Sequence, residues 1–175
     1  MPSPPRAPEP VRHRRRDGEL SGWIDGGARG NPGPAGIGLV LEEGDGEREE
    51  VYGYLGMATN NVAEYAALLA LLHRSLLRRA RRLIVHSDSE LLVRQMLGAY
   101  RVKNPRLQIL HAEARRLMER FSAVEYRHVP REANRDADRL ANRAMDEQAS
   151  SEPLPEAVLS LLSTAPGPLF AGDRS

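Results

Sequence analysis

The sequence predicts an α/β fold with a mixed five-stranded sheet, three antiparallel strands followed by parallel βα units, and helices on both faces. Three observations carry this expectation. Apolar and polar residues alternate over two neighbouring segments joined by a Gly-Asp-Gly turn at 44–46, the signature of a hairpin. Directly afterwards the apolar period changes from two to that of a helix. Beyond residue 80, two β-prone runs are each followed by helical patterning, as in βα units.

The elements follow in order. Residues 20–25 read as a short strand, and the turn-rich stretch GGARGNPGPAG separates it from an alternating strand over 37–42. A third strand covers 50–57. A helix begins at Asn60, with Val62, Tyr65, Ala66, Leu69, Leu72 and Leu76 on one face. Residues 82–87, around Leu83-Ile84-Val85, form a fourth strand, and residues 89–97 a short helix. A longer helix over 106–121 places Leu107, Leu110, Ala114, Leu117 and Met118 together. Residues 123–129 are the fifth strand, and residues 134–146 a closing helix through Ala137, Leu140, Ala141 and Ala144.

A length of 175 residues suits one domain, and 41% hydrophobic with 28% charged residues suits a globular chain better than a disordered one. Residues 1–18 are rich in proline and arginine, with too little apolar surface to offset the entropy of ordering, and read as a disordered basic arm. The folded unit is expected over 19–148. Residues 149–175 read as a mostly disordered tail, whose single apolar stretch at 157–162, flanked by prolines, has room for a short helix on the domain. No run approaches the ~18 apolar residues needed to cross a bilayer, so no membrane association is expected. Residues 1–16 lack the apolar core of a secretory signal. The absence of cysteine excludes a disulfide scaffold, a thiolate zinc site and a cysteine nucleophile, and leaves the cytoplasm as the default location.

Four acids stand where solvated surface charge is not the obvious reading. Asp25 closes the first strand before two glycines, Glu64 lies in the opening of the first helix, Asp88 follows the fourth strand, and Asp138 lies early in the last helix. Each has an ordinary alternative: Asp25 as a turn former, Glu64 as an acid favoured by the helix dipole, Asp88 as an N-cap, Asp138 as surface. As a set they suggest a site. Carboxylates brought together repel unless a cation neutralises them. Magnesium prefers oxygen ligands, and two ions ~4 Å apart can activate water and stabilise the leaving oxygen of a phosphodiester.

The stretches WIDGGARGNPGPAG, TNNVAEYAAL, VHSDSELLV and HVPREANRDADRLA, in this order and spacing, resemble ribonuclease H of type 1 over residues 20 to 148. With VKNP after the second helix, the chain most resembles the compact bacterial and archaeal branch. The resemblance implies a ribonuclease H-like fold and an endonuclease hydrolysing the RNA strand of RNA–DNA hybrids, leaving 5′-phosphate and 3′-hydroxyl ends. It implies Asp25, Glu64, Asp88 and Asp138 as catalytic carboxylates holding two Mg²⁺ ions, with Mn²⁺ as an alternative. His128 falls on the family's mobile histidine. Gly26, Asn31, Gly33, Asn60, Asn61 and Ser89 fall at the substrate, where close-approaching backbone and small amides can sense the 2′-hydroxyl. No obligate protein partner is implied, and a monomer is expected.

One departure bears on substrate grip. The tryptophan- and lysine-rich protrusion of some relatives is replaced by the short GAYRVKNPRL, leaving Arg94, Arg101, Lys103 and Arg106 as candidate contacts. The run Arg78, Arg79, Arg81 and Arg82 reads as a solvated face. His73, His86 and His111 read as structural, and no paired-histidine metal motif, Walker A sequence or dinucleotide fingerprint is present. The competing class is a catalytically silent nucleic-acid or protein-binding module of the same fold. Retention of all four acids argues against it.

Overall fold

The computed structural model describes residues 18–44 and 46–164. Residues 1–17 of the basic arm and 165–175 of the tail lie outside the described residues. The strands are β1 (Glu19–Ala28), β2 (Gly33–Glu43), β3 (Arg48–Ala58), β4 (Arg82–Ser87) and β5 (Ala123–His128). The helices are α1 (Asn60–Leu77), α2 (Glu90–Met96), α3 (Pro105–Met118), α4 (Arg135–Glu147) and α5 (Glu156–Thr164), with a 3₁₀ turn over Arg131–Asn134 before α4. The sheet order is β3-β2-β1-β4-β5, antiparallel from β3 to β1 and parallel from β1 to β5. Helix α1 covers one face with α2, α3 and α5 against it, while α4 crosses the other face over β1, β2 and β3. The five-stranded mixed sheet is the one expected from the sequence.

The glycine-rich stretch differs from its reading as a long loop. Strand β1 continues through Gly26 and Gly27, which pair with Ile37 and Gly36 of β2, so the turn is only residues 29–32. The glycines allow this pairing because helices pack directly upon them. A Cβ on Gly26 would stand 2.3 Å from the Ala63 carbonyl oxygen of α1, and one on Gly38 would stand 2.1 Å from the Ala137 carbonyl oxygen of α4. Backbone-to-backbone approach on each face brings Glu64 and Asp138 down beside the end of β1.

The core fills the space between the sheet and α1. Ile24, Ile37, Leu39, Leu41, Leu68, Leu69, Leu72, Leu83, Val85 and Leu107 are fully enclosed there. Each fully buried aliphatic side chain contributes about 1.5–3 kcal/mol of transfer free energy, so this layer is the dominant stabilising term.

Part of the tail lies on the domain, its apolar stretch forming the short helix for which the sequence left room. Ser151 donates its amide to the Tyr52 carbonyl (2.9 Å), and the hydroxyls of Ser151 and Ser150 accept the amides of Tyr52 (3.0 Å) and Tyr54 (2.9 Å). The otherwise open edge of β3 is thus partly satisfied by the tail. Helix α5 then packs beside α1, with Val158 fully buried and Leu162 nearly so. Pro153 and Pro155 precede the helix rather than interrupt it, where a missing amide hydrogen costs nothing. Arg106, one of the candidate substrate contacts, is buried and donates to the Leu162 carbonyl, so it belongs to this docking and not to a nucleic-acid surface.

Candidate active site

The acids gather where the pairing of β1 with β4 stops. Ile24 lies opposite Ser87 in that parallel pairing, so the next residues, Asp25, still paired to Gly38 of β2, and Asp88, just past the end of β4, stand side by side. Ser89, not Asp88, caps α2: its hydroxyl accepts the Leu92 amide (3.2 Å). Ser87 Oγ accepts the Ser89 amide (3.1 Å), which fixes the short link carrying Asp88. Helix α1 is likewise capped by Thr59, whose hydroxyl accepts the Val62 amide (3.3 Å), rather than by Asn60. Relieved of capping, Asn60 accepts the Ala28 amide through Oδ1 (2.7 Å) and ties the helix start to the end of β1.

One carboxylate oxygen each from Asp25, Glu64 and Asp88 lies within 4.8 Å of the others. Asp138, on α4, lines the same pocket and adds its negative charge beside Asp25. Burial, the neighbouring Asp88 charge and then Asp138 push the Asp25 carboxyl from its ordinary 3.8 to about 8, opposed by the Gly26 amide. Burial, then Asp25 and Asp88, drive Glu64 well above the carboxylate range. Glu64 Oε2 is buried without a hydrogen-bond partner. The group's donors are all oxygen, its charge is uncompensated and one acceptor is orphaned, which fits a hard divalent cation.

The acids open into a pocket of about 420 Å³, also lined by Gly26, Gly27, Ala28, Arg29, Asn60, Asn61, Ser89, Arg131, Asn142 and Met145. Of the sequence-derived substrate residues, Gly26, Asn60, Asn61 and Ser89 reach it. Asn31 and Gly33 do not, and act through the turn: Asn31 Oδ1 accepts the Asn60 amide (3.0 Å), and a Cβ on Gly33 would strike the Arg29 carbonyl. His128 is exposed at the end of β5 outside the lining, with Nε2 3.2 Å from the Asp88 carbonyl oxygen. His86 stacks on Trp23 (centroids 4.3 Å apart), and His111 contacts the Gln95 carbonyl (3.2 Å), both away from the acids.

Sequence reasoning missed Arg29, Arg131 and Asn142 in the lining. It also missed Asn134, a buried residue whose Nδ2 donates to the Ile24 carbonyl (2.9 Å) and binds the approach to α4 to the strand bearing Asp25. These bonds span over a hundred residues and leave no local pattern to read.

A five-stranded mixed sheet with acids clustered where β1 and β4 part defines a ribonuclease H-like nuclease class. The family model described as "Reverse transcriptase-like" matches residues 24–144. The Ribonuclease HI of Halobacterium salinarum is 41% identical over 133 residues, spanning 75% of this chain and 67% of that protein. A solved structure of LC11-RNase H1 in complex with an RNA/DNA hybrid superposes with a TM-score of 0.69 at 41% identity, covering 74% of this chain and 98% of that one. The chain belongs to the type 1 ribonuclease H family. It is also 46% identical over 129 residues to a bifunctional protein of Mycobacterium tuberculosis, where the match covers 73% of this chain but 35% of that relative's length.

Proposed function

We propose that this chain is an endonuclease that hydrolyses the RNA strand of RNA–DNA hybrids and leaves 5′-phosphate and 3′-hydroxyl ends. The observation that carries the reading is the convergence of Asp25, Glu64, Asp88 and Asp138, with a buried acceptor unmet, in a pocket open to solvent. Family membership and the hybrid seen with LC11-RNase H1 support the substrate class. Asp25, Glu64, Asp88 and Asp138 would hold two Mg²⁺ ions, or Mn²⁺ in their place. Such ions, when bound, supply an activated water and stabilise the leaving oxygen.

The chain's own residues do the rest. Asp25 and Glu64 release protons as the site charges, and the Gly26 amide steadies the Asp25 carboxylate as it ionises. Asn60, Asn61 and the backbone of Gly26 and Gly27 line the pocket where an RNA 2′-hydroxyl is read. Asn31 and Gly33 hold that turn in register. His128, whose Nε2 lies 3.2 Å from the Asp88 carbonyl oxygen, assists proton transfer or product departure. The catalytic unit is residues 19–148, braced by the tail, and acts as a monomer in the cytoplasm. No helix among the described residues is long and apolar enough to cross a membrane.

The test is cleavage of end-labelled hybrid, duplex RNA and duplex DNA side by side, with magnesium or with EDTA. Cleavage confined to the RNA of the hybrid and abolished by EDTA is expected. Undiminished cleavage in EDTA, or an uncut hybrid, contradicts the proposal.

A further inference from the structure

We propose that Arg29 is a phosphate-binding side chain for the backbone of the hybrid, held ready by α4 through an ion pair with Asp146 that phosphate displaces. The inference rests on the hybrid-cleaving reading and adds the cation that grips the substrate beside the acids.

A polyanion approaching four carboxylates needs positive charge nearby. In the short loop that replaces the basic protrusion, Arg101 and Lys103 are exposed but do not line the acid pocket. Arg106 is buried under α5, and Arg94 pairs with Glu90 (2.8 Å) and lies over the Tyr100 ring. Within the pocket lining the cations are Arg29 and Arg131. Arg131 is 79% exposed and stands 4.0 Å from Asp138, at the outer limit of an ion pair.

Arg29 is placed more firmly. Its amide donates to the Pro34 carbonyl (2.9 Å), the preceding amide of Ala28 is held by Asn60, and its carbonyl lies against Gly33. The guanidinium crosses from this turn to α4, where it pairs with Asp146 and makes a longer bond to Asn142 Oδ1 (3.4 Å). Asn142 is itself in the pocket wall and donates to the Asp138 carbonyl (3.0 Å). The side chain therefore stands at the rim of the acid pocket, aimed by two elements that also carry the acids.

The pair with Asp146 is exposed on both sides (48% and 59%), and a pair in that setting contributes little stability. Exchange of the carboxylate for a phosphate thus costs little, and the planar fork of arginine matches phosphate oxygens in a bidentate bond. Until substrate arrives, Asp146 keeps the guanidinium extended along α4 instead of folding onto Asp25 or Asp138.

The experiment measures binding of a labelled RNA–DNA hybrid by fluorescence anisotropy across salt concentrations, with calcium in place of magnesium. The proteins are wild type, Arg29→Ala, Asp146→Asn and the double variant. Arg29→Ala is expected to weaken binding roughly 3- to 10-fold at low salt and to reduce the log–log salt slope by about one, as loss of one phosphate contact requires. Asp146→Asn is expected to tighten binding several-fold with Arg29 present and to do much less without it. An Arg29→Ala variant, folded by circular dichroism, with wild-type affinity and slope overturns the inference. So does equal tightening by Asp146→Asn in both backgrounds, since Asp146 then acts only as a repelling charge. Failure of the wild-type protein to bind hybrid at all instead removes the functional reading on which the inference stands.

Discussion

The two ends of α1 treat carboxylates in opposite ways. At its C-terminal end, Arg74 pairs with Glu49 and with Glu152 (2.5 Å), and Arg78 pairs with Glu43 (2.7 Å) and Glu49 (2.5 Å). Every acid there meets a guanidinium. At its N-terminal end, Glu64 lies against Asp25 and Asp88 with a buried oxygen unmet, and among the described residues none of these three acids pairs with a basic side chain, Arg131 reaching only Asp138. The same helix thus holds acids matched by the chain's own cations at one end and acids left unmatched at the other. Unmatched burial destabilises, so it persists where an external cation is to arrive.

The largest effect comes from breaking the unmatched end. Asp25→Asn and Asp88→Asn should each lower kcat by at least about 1,000-fold with the fold retained, measured by hybrid cleavage and circular dichroism. Near-normal turnover in either variant removes the acids from the chemistry. His128→Ala should lower kcat by about 10- to 100-fold with hybrid affinity little changed. A wild-type kcat from pH 6 to 9 would make His128 structural.

The metal-free protein should also carry a pH signature. The folded Asp25 carboxyl holds its proton up to about 8, against 3.8 for an ordinary aspartate. Between those values the folded state binds more protons than the unfolded state. The stability from Asp25 is therefore fully present below about 3.8 and lost as pH rises through about 8. Thermal unfolding in EDTA should show Tm falling across that window, more steeply than in Asp25→Asn. Identical slopes in the two proteins contradict the raised carboxyl.

The smallest effect is at the matched end. Arg74→Ala should lower Tm by roughly 3–6 °C, corresponding to about 1.5 kcal/mol, while kcat and KM stay at wild-type values. A loss of activity exceeding the loss of folded protein would show that the two ends are not independent.

The unequal legibility of the molecule follows the reach of its interactions. Alternation, the change of period at Asn60 and the β-prone run at 83–85 made the sheet and helices readable, because each depends on neighbours in sequence. The acids were readable from their local motifs, and Ser89 then took the capping role that Asp88 had been offered, as Thr59 does for α1. Glycines read as turn formers proved to be strand residues, since their purpose is the close seating of α1 and α4, which only the packed fold reveals. Helix α5 was legible as an apolar stretch between prolines, while its docking comes from Val158 and Leu162 meeting surfaces far away in sequence. Arg29 with Asp146, and Asn134 with Ile24, are bonds across the chain that no window contains.

The account turns on whether the unmatched acids await a divalent cation, and proton release on magnesium binding tests this most directly. Calorimetric titration at pH 7 in two buffers of different ionisation enthalpy counts those protons. With Asp25 protonated up to about 8 and Glu64 raised beside it, magnesium should displace about one proton or more at pH 7 and progressively fewer above pH 8. Release should be largely lost in Asp25→Asn. Magnesium binding that releases no proton at pH 7, or no binding at all, would contradict the account.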